Sequence, residues 1–328
     1  MTGPNSEGLS FAPLLPRLAR QWNCSDAELL GAQRLSAGAS RLSWRLDLRC
    51  GPDVRRVVVQ RERAPELGRG EVLAEADLLR AAAKAGVPVP EVVAVDPDGT
   101  EIGGAYLATS WIEGETIARR ILRNPELAAA REAFAGQCGR ILARIHAIPM
   151  EALRLPDLDP LAAIERMLDD SGQARPAFEL ALRWLRDHRP PARPPVVVHG
   201  DFRTGNFIVG PDGVRAVLDW ELAHLGNPVE DIGWLCARAW RFDGPGEVGG
   251  MGDVPTLLAA YAAAGGGQVD RRELFWWQVL ATARWGAICL EQAREHLSGQ
   301  THSVELAVLG RIAAEMEYDV LRMIDRAR

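Results

Sequence analysis

The sequence predicts an α+β fold, with strands concentrated in the first third of the chain and helices in most of the rest. Before residue 110, short runs of strand-forming residues, such as residues 54–60 and 106–110, alternate with turn residues. After residue 115, apolar residues recur at helical spacing, most clearly over residues 125–147. A pair of strands within residues 207–218 interrupts this helical part. We therefore expect a small strand-rich part followed by a larger, mostly helical part.

Two helices are expected within the strand-rich part. Residues 11–22 carry apolar residues at roughly helical spacing, which predicts a leading helix. Residues 70–85 form the second helical segment, and Gly86 with two nearby prolines ends it. This second segment is the main helix that we expect against the strands.

Length and composition are those of an ordinary soluble globular protein. The 328 residues suffice for two lobes with substantial cores, and 47% of them are hydrophobic and 25% charged. A formal charge of −6 without a strong basic run argues against a nucleic-acid partner. The first residues lack the pattern of a signal peptide, and no apolar stretch is long enough to span a bilayer. We therefore expect a cytoplasmic protein with no membrane partner.

The cysteines indicate reduced thiols. Their number is odd, they are scattered, and none stands in Cys-x-x-Cys spacing. We therefore expect structural thiols and no zinc site at Cys24, Cys50, Cys138, Cys236 and Cys289.

Residues 196–221 carry the candidate chemistry. They read as a short apolar run, a polar loop, and two strands joined by a Pro-Asp-Gly turn. The loop contains Asp201 and ends at Asn206, and the second strand ends at Asp219. A hairpin of this length would bring the three side chains together, offering only oxygen ligands to a hard cation such as Mg²⁺. The alternative is a buried turn whose Asp and Asn side chains cap the backbone.

The spacing in this stretch is that of a kinase catalytic loop, in which an Asp precedes an Asn by five residues and a second Asp follows at a later strand end. Here His199-Gly-Asp201 stands where protein kinases have His-Arg-Asp, and Asp219-Trp-Glu221 stands where they have Asp-Phe-Gly. The chain resembles the aminoglycoside phosphotransferase-like family of small-molecule kinases from about Leu35 onward. Residues 219–231 look most like the kinase domains linked to acyl-CoA dehydrogenases.

The resemblance implies a protein-kinase-like fold of two lobes. Residues 1–109 would form the small N-terminal nucleotide-binding lobe, with a leading helix, an antiparallel sheet and one main helix. Residues 110–114 would form the hinge, where Ser110 and Ile112 meet the nucleotide base. Residues 115–328 would form the larger, mostly helical lobe with the catalytic loop and the acceptor site. Because main-chain groups recognise the base, ATP and GTP both remain open as donors.

The resemblance also assigns a loop that covers the nucleotide phosphates. Its candidate contacts are Ser36, Gly38 and Ser40, between two predicted strands. Small residues let backbone N–H groups approach phosphate oxygens. The segment has a single glycine, however, and an ordinary hairpin turn is the alternative interpretation.

The chain departs from the kinase pattern at the phosphate-binding lysine. Gln60, Arg61 and Arg63 occupy the end of the corresponding strand, with no Lys nearby. We favour Arg61 because it follows Val59 by two residues on the same strand face, and by resemblance Glu75 of the next helix would pair with it. Arginine supplies the charge but not the geometry of lysine. The alternatives are a strand-end arginine and a solvated glutamate.

The implied reaction moves the γ-phosphate of ATP or GTP to a hydroxyl of a small molecule, such as an antibiotic or a metabolite like a hydroxyacyl-CoA. Asp201 would accept or orient the hydroxyl proton, and Asn206 and Asp219 would hold Mg²⁺. The expected partner is this small-molecule acceptor, and the expected assembly is a monomer or a homodimer.

Four other features carry expectations. His199 is expected to anchor the catalytic loop, and His146 to be structural. The resemblance makes Asp231 an organiser of the catalytic segment. The glycine-rich residues 243–252 form a loop at the pocket mouth or elsewhere on the surface.

Two other functions stay open. The missing lysine would fit a nucleotide-binding protein without catalysis, a pseudokinase. Asp201 and Asp219 could instead be ligands of a metal-dependent hydrolase, although this leaves the hinge-like segment and Glu75 unexplained. A serine hydrolase is disfavoured because no Gly-x-Ser-x-Gly motif is present.

Overall fold

The computed structural model describes residues 9–35, 41–63, 69–151, 153–299 and 302–327. The chain divides into two compact units, each built from more than one stretch of sequence. The first unit comprises Met1–Gly114, Glu151–Arg154 and Arg215–Glu221, and the second comprises Glu115–Met150, Leu155–Val214 and Leu222–Arg328.

The first unit contains an antiparallel sheet, a leading helix and one longer helix. A 3₁₀ turn at Ala12–Leu14 leads into α1 (Leu15–Gln21), and α2 spans Arg69–Lys84. The strands are β1 (Ala27–Arg34), β2 (Arg41–Cys50), β3 (Asp53–Glu62), β4 (Val92–Asp96) and β5 (Tyr106–Ser110). Their order in the sheet is β1-β2-β3-β5-β4, and every neighbouring pair is antiparallel.

The core of the first unit lies on one face of this sheet. Val57 and Val59 of β3 are buried with Leu46 of β2, and the leading helical segment covers them with Phe11 and Leu14. Because side chains alternate along a strand, this packing fixes which residues of β3 face the core.

The second unit is mostly helical, as the spacing of its apolar residues predicts. Its helices are α3 (Ala118–Arg123), α4 (Ala128–Ile145), α5 (Pro160–Ser171), α6 (Pro176–Asp187), α7 (Val229–Cys236), α8 (Val254–Tyr261), α9 (Arg271–Leu297) and α10 (Val304–Arg326). Trp276 and Trp277 of α9 are buried. No helix in the described part of the chain is both long and apolar enough to cross a lipid bilayer.

Two short ribbons frame the catalytic segment. β6 (Val196–Val198) pairs antiparallel with β9 (His224–Gly226), and β7 (Phe207–Gly210) pairs with β8 (Gly213–Val217). The loop between β6 and β7 contains Gly200 at φ +81°, where a Cβ atom would lie 2.3 Å from the carbonyl oxygen of Leu222. Only glycine combines this conformation with so close an approach.

The cysteine prediction is wrong for one pair. Cys24 and Cys50 form a disulfide with their Cα atoms 5.9 Å apart, whereas Cys138, Cys236 and Cys289 are free and buried as expected. The pair meets because β1 and β2 are antiparallel and Cys50 lies opposite Ala27 in their register. Spacing along the sequence carries no sign of this contact.

Candidate active site

The catalytic loop is held by a buried carboxylate. Asp231 of α7, which is fully buried, accepts the main-chain N–H of His199 at 2.8 Å and that of Gly200 at 2.9 Å. The N–H of Asp201 donates to Nδ1 of His199 at 3.2 Å. These bonds confirm that Asp231 and His199 order the loop, because each of the loop's first main-chain donors has a fixed acceptor.

His146 completes this support. Its Nε2 lies 3.3 Å from Asp231 Oδ2, and its Nδ1 lies 2.8 Å from the Tyr261 hydroxyl. Burial would raise the pKa of Asp231, but the hydrogen bond and charge of His146, with a contribution from His199, lower that pKa below its ordinary value. The structural role predicted for His146 is confirmed.

Three side chains fix the carboxylate of Asp201. Trp234 Nε1 donates to Oδ1 at 2.7 Å, and Arg203 Nε lies 2.9 Å from Oδ1 and 3.1 Å from Oδ2. Asn206 Nδ2 donates to Oδ2 at 2.5 Å and to the main-chain oxygen of Asp201 at 3.0 Å. Asp201 and Asn206 are therefore brought together, with the Asn206 amide nitrogen facing Asp201 and its amide oxygen left as the atom able to ligate a cation.

Behind Trp234 lies a second row of charged and aromatic side chains. The guanidinium of Arg284 lies 4.9 Å from the centre of the Trp234 ring and donates to Glu230 Oε1 at 3.0 Å. His224 Nε2 lies 3.2 Å from Glu230 Oε2. Arginine over an aromatic face is attractive, so Arg284 restrains the indole that reaches Asp201. Glu230 is buried, and both of its carboxylate oxygens have a partner.

Arg203 is restrained in the same way. Its guanidinium lies 4.4 Å from the centre of the Trp240 ring, and Trp240 packs against Trp234 at 5.1 Å. Sequence reasoning did not identify Trp234 or Arg203. Trp234 follows Asp231 by three residues on α7, a spacing that places two side chains on one helix face. This spacing is the feature of the sequence that could have indicated a role for Trp234 beside the catalytic loop.

The glycine-rich segment lies against the catalytic loop. Thr204 Oγ1 donates to the carbonyl oxygen of Gly249 at 3.0 Å, and Gly249 N–H donates to the Leu235 carbonyl at 3.3 Å. Gly249 has φ +56°, and a Cβ atom there would lie 2.2 Å from Thr204 Oγ1. The position of residues 243–252, open at the level of sequence, is therefore next to the loop that carries Asp201.

In the first unit, the charged pair differs from the predicted one. Glu75 forms an ion pair with Arg41, the first residue of β2, and Arg41 Nε also donates to Glu62 Oε1 at 2.5 Å. Arg61 instead donates to the carbonyl oxygen of Gly103 at 2.8 Å. The expected pairing of Arg61 with Glu75 is wrong, and Arg41 is the partner.

Strand alternation explains this correction. Val57, Val59 and Arg61 share the face of β3 that is covered by the leading helical segment. Glu62 points to the other face, where the register of β2 and β3 places it opposite Arg41. Gln60, rather than Arg61, shares that face. The partner of Glu75 is therefore on β2, whereas the prediction placed it on β3.

The Arg41 cluster carries more negative than positive charge. Burial raises the pKa of Glu75; Arg41 opposes this, while the carboxylates of Glu221 and Glu62 raise that pKa further. Burial lowers the pKa of Arg41, but the charges and hydrogen bonds of Glu75 and Glu62 outweigh burial and raise it above its ordinary value. Arg41 is therefore a permanently charged, immobilised cation among several carboxylates.

The hinge-like segment follows β5. Ser110 N–H donates to the Glu91 carbonyl at 2.8 Å, and its hydroxyl oxygen accepts from Glu91 N–H at 2.9 Å. Trp111 N–H donates to the Arg56 carbonyl at 3.0 Å. These bonds use the main-chain N–H groups of Ser110 and Trp111. Ile112 follows them directly in the chain. The predicted phosphate contacts Ser36, Gly38 and Ser40 lie outside the described residues.

Asp219 belongs to the first unit. It follows β8 with φ +66°, a conformation that is uncommon for a residue other than glycine and that occurs often at functional sites. The next residue, Trp220, donates its indole N–H to the Val217 carbonyl at 3.2 Å, and Val217 N–H donates to the Pro88 carbonyl at 2.8 Å. The backbone around Asp219 is thus anchored within this unit.

The two predicted metal ligands lie in different units, Asn206 in the second and Asp219 in the first. Asn206 offers an amide oxygen and Asp219 a carboxylate, both typical ligands of Mg²⁺. Among the described residues, no three His, Cys, Asp or Glu side chains are grouped so as to hold a metal ion by themselves.

The model of the phosphotransferase enzyme family matches residues 31–277, which is more than half of the 328-residue chain. The chain belongs to this family. The match confirms the resemblance noted in the sequence and the predicted class of phosphotransferase enzymes.

Solved structures confirm the predicted kinase-like α+β fold. A protein from Ralstonia eutropha JMP134, provisionally described as an aminoglycoside phosphotransferase, superposes with a TM-score of 0.73 at 20% identity, covering 97% of this chain and 99% of that one. The GDP and kanamycin complex of APH(2″)-IIia superposes with a TM-score of 0.65 at 15% identity, covering 93% and 98% of the two chains.

The curated relatives are much longer than this chain, which matches only a part of each. Acyl-CoA dehydrogenase family member 10 of Mus musculus is 33% identical over 174 residues, which are 48% of this chain and 16% of that protein. An acyl-CoA dehydrogenase homologue of Arabidopsis thaliana, IBR3, is 26% identical over 268 residues, which are 70% of this chain and 32% of that protein. The chain spans about a third or less of the length of these relatives.

Proposed function

We propose that this protein transfers the γ-phosphate of ATP or GTP, with Mg²⁺, to a hydroxyl of a small molecule. The observation that carries the proposal is the fixed carboxylate of Asp201 with Asn206 beside it, on a loop tied down by Asp231. Phosphoryl transfer asks a protein mainly for positioning and charge neutralisation. A carboxylate held by several donors can orient an acceptor hydroxyl and accept its proton.

The other roles follow from residue chemistry. Asn206 and Asp219 would hold Mg²⁺, which when bound neutralises the charge of the phosphates. Arg41, held by Glu62 and Glu75, is the cation that we assign to the phosphates, with Gln60 on the same strand face. Ser36, Gly38 and Ser40 would cover the phosphates, and Ser110 and Ile112 would meet the base.

The predicted division into lobes is part of the proposal. Residues 1–109 would bind the nucleotide, residues 110–114 would form the hinge, and residues 115–328 would bind the acceptor. We propose a cytoplasmic protein that is a monomer or a homodimer, with neither nucleic acid nor membrane as a partner.

The acceptor would be an antibiotic or a metabolite such as a hydroxyacyl-CoA. Kanamycin in one structural neighbour supports the first choice, and the acyl-CoA dehydrogenase relatives support the second. Both have hydroxyl groups that Asp201 could orient.

A nucleotide-consumption assay with hydroxylated antibiotics and hydroxyacyl-CoA thioesters tests the proposal. We expect Mg²⁺-dependent turnover with at least one acceptor. Asp201→Asn should lower this turnover about 10²- to 10⁴-fold, the usual contribution of a general base, while a thermal-shift titration shows nucleotide binding retained. Turnover unaffected by Asp201→Asn would refute the assignment.

A pseudokinase is the second candidate. Arg203 Nε lies within 3.1 Å of both carboxylate oxygens of Asp201, and the strand that carries lysine in kinases has none. Nucleotide binding without turnover of any acceptor, in both the native protein and an Arg203→Ala variant, would favour this candidate.

A further inference from the structure

A cavity of about 650 Å³ lies in the second unit, between the 3₁₀ turn Arg238–Arg241 and the helices α9 and α10. Small-molecule sites commonly have volumes of this order. Its lining combines apolar surface from Phe275 and Met323 with charged side chains. None of the side chains that contact Asp201 lines this cavity.

Arginines dominate the charge of this cavity. Four guanidinium groups line it, from Arg238, Arg241, Arg322 and Arg326, against the carboxylates of Glu247 and Asp319. In the described part of the chain the lining therefore has two more positive than negative charges.

The arginines differ in how far they are already neutralised. Arg238 Nη1 donates to both oxygens of Asp319, at 2.6 and 2.8 Å, so the charges of these two residues neutralise each other. Arg241 Nη2 donates to the Cys236 carbonyl at 3.2 Å, and Arg322 Nη1 donates to the Tyr318 hydroxyl at 3.0 Å. These two acceptors are neutral.

Arg326 is exposed on the last turn of α10, and no described carboxylate forms an ion pair with it. Arg241, Arg322 and Arg326 therefore keep their positive charge without a carboxylate in contact. A guanidinium fork suits the oxygens of phosphate and carboxylate groups.

The wall of the cavity continues the support of the catalytic loop. Cys236 follows Trp234, which donates to Asp201, by two residues, and Arg241 follows Trp240, which stacks on Arg203. A ligand in the cavity would thus contact the same chain segment that fixes the candidate catalytic carboxylate.

We propose that this cavity binds an anionic group of the acceptor, a phosphate or a carboxylate, through Arg241, Arg322 and Arg326. The acceptor part of this inference rests on the proposed kinase function, whereas anion binding does not. The charge of the lining selects against polycations such as kanamycin and selects for acceptors that carry negative charge at a distance from the reacting hydroxyl.

Isothermal titration calorimetry of the nucleotide-free protein, at low and at high salt, tests the cavity directly. The probes are coenzyme A, inorganic phosphate, glutarate and kanamycin. The test variant is Arg322→Gln/Arg326→Gln, which changes two exposed side chains and leaves the buried core unchanged. The matched control is Arg183→Gln/Arg311→Gln, which removes the same charge from exposed positions on α6 and α10 outside the cavity.

We expect coenzyme A to bind the native protein and the control equally, and the test variant at least about tenfold more weakly, since a hydrogen bond to a charged group contributes about 1.5–3 kcal/mol. Binding of phosphate but not glutarate would identify a phosphate site, and the reverse a carboxylate site; either supports an anion site. Because no turnover is involved, an inactive enzyme would leave this result unchanged.

Three outcomes would overturn the inference. The first is that none of the anions binds. The second is equal binding of the anions to the test variant and to the control. The third is that kanamycin binds more tightly than every anion at low salt. In each case a kinase activity found in the turnover assay would still stand, with the acceptor bound elsewhere.

Discussion

Asp201 has its candidate catalytic carboxylate fixed by a neutral indole, a cation and an amide. Trp234 is the neutral donor among them that is not also a candidate metal ligand. It is also the one backed by a further charged group, since Arg284 stacks on its ring. We regard Trp234 as a positioning residue, because it acts on the reaction through Asp201.

Trp234→Phe isolates this role. It removes the N–H donor and keeps most of the ring, so the carboxylate loses one hydrogen bond of about 1.5–3 kcal/mol at most. We expect kcat to fall about tenfold or more while the KM for nucleotide changes little, because the lost bond positions Asp201 and not the nucleotide.

Trp277→Phe is the matched control. The indole nitrogen of Trp277 is buried and has no hydrogen-bond partner among the described residues, so its loss should leave kcat unchanged. An equal loss of kcat in the two variants would assign the effect to packing rather than to the bond with Asp201.

Arg41 gives a second prediction at this scale. Arg41→Gln leaves Glu62 and Glu75 buried without their counter-charge, which typically costs about 3–5 kcal/mol. Arg61→Gln removes only a bond to a carbonyl and should cost about 1 kcal/mol or less. Urea unfolding of both variants measures the difference.

Adding Glu75→Gln to Arg41→Gln should restore part of the lost free energy of unfolding, because the uncompensated carboxylate is then gone. A larger loss for Arg61→Gln than for Arg41→Gln would contradict the ion pair that the structure shows.

At the scale of elements, the β1–β2 ribbon is closed covalently. The disulfide joins cysteines separated by 26 positions in sequence. A loop of this size restricts the unfolded chain enough to stabilise the fold by about 3 kcal/mol. We expect Cys24→Ser/Cys50→Ser to lower the free energy of unfolding by that amount under oxidising conditions.

Reductant provides the control for this prediction. It should destabilise the native protein and leave the double serine variant unaffected. Equal stability of the native protein with and without reductant would show that the bridge does not contribute.

The start of α7 predicts a pH dependence. Burial lowers the pKa of His224, but the hydrogen bond and charge of Glu230 outweigh burial and raise that pKa above its ordinary value of 6.5. A histidine with a raised pKa stabilises the fold fully below its unfolded-state pKa, and this contribution disappears as the pH rises through its folded-state pKa. The free energy of unfolding should therefore fall as the pH rises above 6.5.

His224→Gln should flatten this part of the stability curve, measured by denaturant titration at a series of pH values. An unchanged slope in the variant would assign the pH dependence to other groups. Arg284 also binds Glu230, and its charge is constant over this range, so it cannot produce the slope.

What the sequence could predict depends on how far apart the interacting residues are. The contact between Asp201 and Asn206 was predictable because it spans five residues, whereas Asp231, which holds the loop from 31 and 32 residues away, was assigned by the family resemblance. The pair of Arg41 and Glu75 was not predictable, because their contact depends on strand register, and a shift of one residue moves a side chain to the opposite face. The Cys24–Cys50 bridge depends on register in the same way.

At the scale of the whole molecule, the family match places the chain among phosphotransferase enzymes. The arginines of the cavity concern the charge of the acceptor. The cavity at α9 and α10 has a positively charged lining, whereas the carboxylates of Glu230 and Asp231 are buried and paired with other side chains. Anions should therefore compete with the acceptor in turnover assays, and this can be measured once an acceptor is known.

The discontinuous first unit has a consequence for how such proteins can recombine. Residues 215–221, with Asp219, fold with a unit whose main stretch ends at Gly114. Arg215 donates to the Glu113 carbonyl at 2.9 Å, and Val217 to that of Pro88. A single genetic crossover near residue 114 would give a chimera whose Asp219 segment comes from the other parent. Exchange of the first unit between relatives therefore requires further crossovers, or a second parent whose segment already matches.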